Sequence, residues 1–323
     1  MHNQLAKELE PLLSFTSIDH IELVQSLWSG YGVLLKVHLS GADWPSVIVK
    51  RIQPPAAAQH LRQWNTDLGH QRKLRSYEVE LHWYQNYAHR THAACRIPQC
   101  LGTATIAGGH LLVLEDLDAA GFPLRKTQLT NQEIERCIVW LAHFHAEFLQ
   151  DPAEGLWESG TYWQLDTRPE EWKAMPAGSL KTAAKGLHQA LEECTYKTLV
   201  HGDAKYANFC FSTGDAVAAV DFQYVGAGCG MKDLAYLLSC KEGGLRSVAE
   251  EKEFMDIYFY HLHQALGSRH PNVDGTALET EWRLLYSIAW ADFERFLQGW
   301  APGHWKRTAY SQRQVDLALR QLG

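Results

Sequence analysis

The sequence has no long apolar run, no paired cysteines and no surplus of basic charge, and each absence removes a class of function. Its aliphatic stretches, such as Leu111–Leu114, fall far short of the ~20 residues that a membrane-spanning helix needs, so no membrane partner is expected. Lys7, Glu8, Glu10 and Asp19 interrupt the N-terminal apolar residues, which does not suit a secretory leader. The seven cysteines include no Cys-x-x-Cys pair. Cys95 and Cys100 stand too far apart for a ribbon-type zinc site, and Cys194, Cys210, Cys229 and Cys240 have no paired rhythm. Free thiols in a reducing compartment are the expectation, and with them a cytoplasmic location. The net charge of -7 lacks the basic stripe that neutralises a polyphosphate backbone, so nucleic acid is excluded as a partner. Seventeen histidines contain no His-Glu-x-x-His. His143-x-His145 and His261-x-His263 put their rings on different faces of a helix, where they do not chelate. There is no internal repeat and no low-complexity tract.

What is present is an ordinary soluble composition, 46% hydrophobic and 21% charged, on 323 residues, enough for one large domain or two lobes. The first part alternates as strands do. Gln25–Ser40 reads as a strand, a turn around Gly30 and Gly32, and a returning strand; Ser46–Ile52 is a β-branched strand ended by Pro54 and Pro55. Gln71–His89 lacks Gly and Pro and places Leu74, Tyr77, Leu81 and Tyr84 at helical spacing. Leu101–Thr105 and His110–Glu115 read as two strands across a Gly108-Gly109 turn. Beyond Asp116 the character becomes helical. Asn131–Gln150 is a strong helix with Thr130 as N-cap and Glu133 completing a capping box. Residues 151–178 read as an irregular insertion, Ser179–Cys194 as a helix, and Thr198–Val220 as a strand, a loop and a strand pair. The expected fold is α+β and bilobal, a β-rich N-terminal lobe over residues 1–117 and a larger helical C-terminal lobe over 118–323, with a cleft between them.

The chemistry concentrates in His201-Gly-Asp-Ala-Lys-Tyr-Ala-Asn208 and in Asp221-Phe-Gln223. Transfer of a phosphoryl group asks a protein to position the acceptor hydroxyl and to hold phosphates and a hard cation, which takes oxygen ligands. Asp203 and Asn208 share a short loop behind the strand Thr198–Val200, and Val217–Val220 runs straight into Asp221. A carboxylate at the end of an apolar strand is costly without a partner, and a metal ion is a good one. Asp203 is placed to orient the acceptor hydroxyl and take its proton, Asn208 and Asp221 to hold Mg²⁺, and His201 to brace the loop. Any one of these triplets alone is more often a plain turn; the joint pattern in its strand context points to a kinase.

The segment resembles the aminoglycoside phosphotransferase and choline kinase superfamily, and within it the ecdysteroid-kinase-like group of small-molecule phosphotransferases. The resemblance runs over nearly the whole chain, is specific in residues 199–238, and implies a protein-kinase-like fold using ATP and Mg²⁺. It assigns Lys50 to the α- and β-phosphates, with a helix glutamate to fix it; Glu80 is preferred over Glu78 because Glu80-Leu-His-Trp-Tyr84 looks like the family segment. Gly30 and Gly32 stand where the phosphate-covering loop belongs, without the full G-x-G-x-x-G. The backbone of Glu115 to Leu117 stands where adenine is bound, and Asp233 where an aspartate anchors the catalytic loop. His145 is placed near that loop as packing. Lys205 matches a γ-phosphate contact found in Ser/Thr protein kinases. Against a protein kinase stand Gly202 in place of an arginine and the short stretch from Asp221 to Lys232, which has no Ala-Pro-Glu and no room for peptide docking. The expected partner is therefore a small hydroxyl-bearing acceptor; a catalytically silent nucleotide-binding module is the alternative. Twelve tryptophans leave two readings open. Trp290, Phe293, Phe296 and Leu297 read as the core stripe of one helix. Alternatively, the aromatic faces with Asp292 and Glu294 bind a cationic acceptor.

Overall fold

A computed structural model describes residues 2–27, 30–54, 67–245 and 247–323. Trp28, Ser29 and Pro55, on which parts of the expected first turn and strand end fall, lie outside the described residues. In chain order the elements are α1 (His2–Leu9), β1 (Ser17–Ser26), β2 (Gly32–Ser40), β3 (Ser46–Ile52), α2 (Asp67–Asn86), β4 (Cys100–Ile106), β5 (Gly109–Glu115), β6 (Leu124–Arg125), α3 (Asn131–Glu147), α4 (Pro169–Ala174) and α5 (Ser179–Glu192). They continue with β7 (Thr198–Val200), β8 (Phe209–Phe211), β9 (Val217–Ala219), β10 (Gly226–Gly228), α6 (Met231–Ser239), α7 (Val248–Arg269), α8 (Gly275–Trp300) and α9 (Ala309–Leu322). The fold is α+β, as the sequence pattern requires.

The chain forms two compact units that interleave: Met1–Arg90, Ile97–Leu124 and Cys210–Val220 make one, and Thr91–Arg96, Arg125–Phe209 and Asp221–Gly323 the other. A single cut after residue 117 does not describe this division, and burial explains why. Cys210 and Ala218 of the β8–β9 hairpin pack with Leu117, Phe122 and Val220, so that hairpin belongs to the first unit although it follows the helices in sequence. Conversely, the Arg96 carbonyl accepts the indole N–H of Trp140 on α3 at 2.9 Å, which ties residues 91–96 to the second.

The first unit is a five-stranded antiparallel sheet in the order β1-β2-β3-β5-β4. Alternation puts Leu35, Val37 and Leu39 of β2, Val47 and Val49 of β3, and Leu111 and Val113 of β5 on one face, where Leu5 and Leu9 of α1 cover them. Gly32 opens β2 at φ +138°, and a Cβ there would lie 2.0 Å from the Arg51 carbonyl oxygen, so the close approach of β2 to β3 needs glycine. A buried acid locks the strand ends: Asp116 accepts from Ser46 Oγ at 2.6 Å, pairs with Lys36 Nζ at 2.8 Å and accepts from the Asp118 N–H at 3.0 Å.

The second unit is helical, with one two-stranded ladder of β7 and β10. α3 packs on α7, while α4, α5, α6 and α9 pack on α8. α3 begins with the expected box, since Thr130 Oγ1 accepts from the Glu133 N–H and Glu133 Oε2 accepts from the Thr130 N–H. It ends at Glu147 rather than Gln150, whose φ of +61° takes the backbone out of the helical region. The stretch 151–178 contains α4, started by Pro169 at the first helical position, where a missing N–H costs nothing. Phe293, Phe296 and Leu297 of α8 form a buried cluster with Trp163 and Tyr236, so the stripe is core.

The burial of Asp116 raises its carboxyl pKa, but Lys36, Ser46 and the Asp118 N–H outweigh it and hold it below its ordinary value of 3.8. A depressed folded value supplies stability above the unfolded value and loses it as pH falls through the folded one. Asp116→Asn is therefore expected to cost about 1–3 kcal/mol at neutral pH, and its thermal midpoint to fall less than that of the wild type on acidification, as read by circular dichroism melts across a pH series.

Candidate active site

In the first unit, β3 and α2 bring one charge pair together. Lys50 Nζ donates to Glu80 Oε2 at 2.6 Å, with the two residues 6% and 2% exposed. Glu80 lies one turn from Tyr77 and from Tyr84 on the buried face of α2, whereas Glu78 is turned outward and pairs with Arg75. Gly30, at φ +77°, and Gly32 flank Tyr31 in the β1–β2 turn; the Tyr31 ring is buried and its hydroxyl meets His70 Nδ1. At the end of β5, the Glu115 N–H donates to the Gln99 carbonyl and Glu115 Oε2 accepts from the Gln99 N–H, each at 2.9 Å. The Leu117 carbonyl accepts from the Phe122 N–H at 2.8 Å. The N–H of Glu115 is thus used inside the protein.

In the second unit, the loop leaving β7 is held by one acid. Asp233, in the first turn of α6, accepts from the His201 N–H at 2.5 Å and from the Gly202 N–H at 2.9 Å. His145 Nε2 lies 3.2 Å from the same carboxylate, and its Nδ1 lies 2.7 Å from the Tyr258 hydroxyl. Asp233, His145 and His201 have no exposed surface. His145 is therefore part of the anchor and more than packing. Gly202 adopts φ +78°, and a Cβ there would sit 2.1 Å from the Tyr224 carbonyl oxygen, so the loop passes where no side chain fits. His201 Nδ1 accepts from the Asp203 N–H at 3.2 Å, and its ring lies 4.6 Å from Phe222, centroid to centroid.

Asp203 is the centre of this loop. Its Oδ2 accepts from Lys205 Nζ at 2.8 Å and from Asn208 Nδ2 at 3.1 Å, and its carbonyl accepts from the same amide at 2.8 Å. Burial pushes the Lys205 ammonium towards its neutral form, but Asp203 and, behind it, Asp221 outweigh burial and raise its pKa, so it is a cation at neutral pH. The field of Asp221 on Lys205 places it in the same electrostatic group. Asp221 adopts φ +71°, unusual for a residue with a side chain, and its Oδ1 accepts from Gln223 Nε2 at 2.7 Å. Strain of this kind, ~1–3 kcal/mol, persists where the surroundings over-determine it. Here the following Phe222 is buried against His201, Phe144 and Trp140. The Tyr162 N–H donates to the Gly202 carbonyl at 3.2 Å, which places Tyr162 beside the loop, and burial and then the charge of Asp203 raise its phenol pKa. Sequence reasoning missed Tyr162, which lies in the stretch read as irregular.

Among the described residues no group of three or more His, Cys, Asp or Glu side chains is arranged to hold a metal by itself. A cation that keeps several waters and binds through one or two protein oxygens and substrate phosphates needs no such cage. With Nδ2 of Asn208 committed to Asp203, its Oδ1 and the Asp221 carboxylate are hard oxygen donors of the kind Mg²⁺ takes. The residues present fit that ion.

Residues 25–270 match the model of the phosphotransferase enzyme family. The chain belongs to that family. No curated protein matches it. Among solved structures, the fold is similar to that of a microcompartment-associated aminopropanol kinase, at 16% identity and TM-score 0.51 over 99% of this chain and 95% of that one. It is similar too to a spectinomycin phosphotransferase in complex with ADP and spectinomycin, at 12% identity and TM-score 0.50 over 100% and 97%. At these identities the likeness is one of fold. Lys50 and Glu80 are both buried in this phosphotransferase, so removing one takes from the other a buried counter-charge at 2.6 Å. Lys50→Ala is expected to destabilise by about 3–5 kcal/mol, and Lys50→Met with Glu80→Leu together to recover most of that in urea melts. A single variant as stable as the wild type would show that the pair carries no stability.

Proposed function

We propose that this protein is an ATP- and Mg²⁺-dependent kinase that moves the γ-phosphate of ATP to a hydroxyl of a small molecule. The observation that carries the reading is Asp203, a carboxylate whose rotamer is set by Lys205 and Asn208 in a loop pinned by Asp233. Asp203 accepts the proton of the acceptor hydroxyl as that oxygen bonds to the γ-phosphorus; the bond from phosphorus to the β–γ bridging oxygen breaks and ADP leaves. Lys205, a cation beside Asp203, offsets charge on the transferring phosphoryl group. Lys50, held by Glu80, pairs with the α- and β-phosphates. Gly30 and Gly32 cover the phosphates, and the Glu115–Leu117 backbone receives the base. Asn208 and Asp221 would hold Mg²⁺, which supplies charge neutralisation on the phosphates.

A small acceptor is supported by the segment after Asp221. It goes directly into β10 and α6, leaving no loop for a peptide. The two similar solved structures, named for aminopropanol and spectinomycin, accord with that. Asp292 is occupied by Arg295 at 2.8 Å and by the Trp163 indole at 3.0 Å, and Glu294 by Arg307. Neither carboxylate is offered to a cationic acceptor.

The test is a phosphorylation screen with labelled ATP over alcohol-bearing metabolites. Asp203→Asn should retain stabilisation by Mg-ATP in a thermal-shift assay and lose turnover by about 10²–10⁴-fold, while Asp221→Ala also weakens Mg-ATP binding. Equal rates in the wild type and Asp203→Asn would refute the role of Asp203. Absence of any Mg-ATP stabilisation of the wild type would sink the kinase reading, Mg-ATP stabilisation without turnover of any acceptor would favour the silent nucleotide-binding module, and peptide phosphorylation in preference to small alcohols would favour a protein kinase.

A further inference from the structure

A buried ammonium normally ends on a carboxylate. Among the described residues three lysines are buried, Lys50, Lys232 and Lys306. Lys50 meets Glu80, and Lys232 reaches Ser159 Oγ at 3.0 Å and Glu192 Oε1 at 3.8 Å. Lys306 meets no acid. Its Nζ donates to Cys240 Sγ at 3.0 Å and lies 4.1 Å from the ring centroid of Tyr236, 5.5 Å from that of Phe293 and 5.7 Å from that of Trp305. Cys240 caps the C-terminus of α6, and its thiol also donates to the Tyr236 carbonyl one turn back at 3.4 Å. The aromatic faces account for the burial of a cation, through attraction to their π-electrons. They do not account for a sulfur at its tip. A thiol beside a lysine, with a trace of exposed surface at 6%, is placed for oxidation and for capture of the product.

We propose that Cys240 and Lys306 are a redox pair that a peroxide closes into a covalent sulfur–nitrogen cross-link. In the first step the Cys240 sulfur attacks one oxygen of hydrogen peroxide. The O–O bond breaks, the sulfur is oxidised by two electrons to Cys240 Sγ–OH, and the thiol proton leaves with the other oxygen as water. In the second, Lys306 Nζ gives a proton to solvent and attacks the sulfur. The S–O bond breaks, the hydroxide takes the second proton from nitrogen and departs as water, and the S–N bond forms. Two equivalents of a thiol reductant reverse it, returning thiol and amine and leaving a disulfide of the reductant. The closed link ties the end of α6 to the segment that leads into α9 and draws Nζ off the face of Tyr236. The reading does not depend on the phosphotransferase reaction.

The test is peptide mapping by tandem mass spectrometry of the full-length protein with and without hydrogen peroxide. The expected product joins the Cys240 and Lys306 peptides at a mass two hydrogens below their sum, and dithiothreitol abolishes it. Cys240→Ser and Lys306→Arg, the second keeping a cation over Tyr236, should each eliminate that product. Should Cys240→Ser fail to fold, Lys306→Arg and the wild-type map carry the test. Recovery of Cys240 as free thiol, sulfinic acid or a disulfide to another cysteine, with the Lys306 peptide unmodified, would overturn the proposal.

Discussion

A single carboxylate with no exposed surface, Asp233, holds the backbone from which the chemistry of the second unit hangs. Two consecutive N–H groups of the loop leaving β7 have no ladder partner, and a buried unpaired N–H costs as much as a lost hydrogen bond. Asp233 takes both and draws a further contact from His145, which Tyr258 holds in turn. Once the His201–Gly202 backbone is fixed, the rest follows locally. Gly202 adopts a conformation only glycine tolerates there, His201 receives the next N–H, and the Asp203 side chain is set between Lys205 and Asn208. The reacting group is thus positioned by hydrogen bonds whose other ends are buried in helices, which is how a loop comes to be rigid.

The first unit applies the same rule to different residues. Buried charges there are paired: Lys50 with Glu80 between β3 and α2, and Asp116 with Lys36 and Ser46 across the ends of β2, β3 and β5. Such pairs add little net stability over apolar packing, but they penalise any arrangement that separates them, so they fix register. Lys306 departs from this rule, being buried against rings and a sulfur instead of an acid.

β2 to β5, α2 and α3 were legible from periodicity and from the Thr130–Glu133 box, because those signals are local. By contrast, β1 runs from Ser17 to Ser26, ahead of the strand expected from Gln25, and the short β6 and β10 gave no period to read. The loop motif was legible for a related reason: Asp203, Lys205 and Asn208 are sequence neighbours whose mutual bonds close within one turn. The boundary after residue 117 did not describe the two units, since the β8–β9 hairpin buries its apolar residues against Leu117 and Phe122 far earlier in the chain. Asp116 marked in sequence only where the strand-rich part ends, and the return of β2 and β3 gave it Lys36 and Ser46. The stretch 151–178 hid α4 and Tyr162, because neither a six-residue helix nor a lone tyrosine has a period to detect.

By itself, then, the sequence determined the α+β order of elements, the loop of oxygen and nitrogen donors around Asp203, and the lysine of β3, all of them written in local spacing. Tertiary structure alone decided which glutamate meets Lys50, that Asp292 and Glu294 are spent on arginines, and that Lys306 ends on Cys240. The physical reason is the same in each case. A buried charge takes its partner from whatever the packed chain brings within hydrogen-bond reach, and that partner stands elsewhere in the sequence or on a helix face that spacing alone leaves ambiguous.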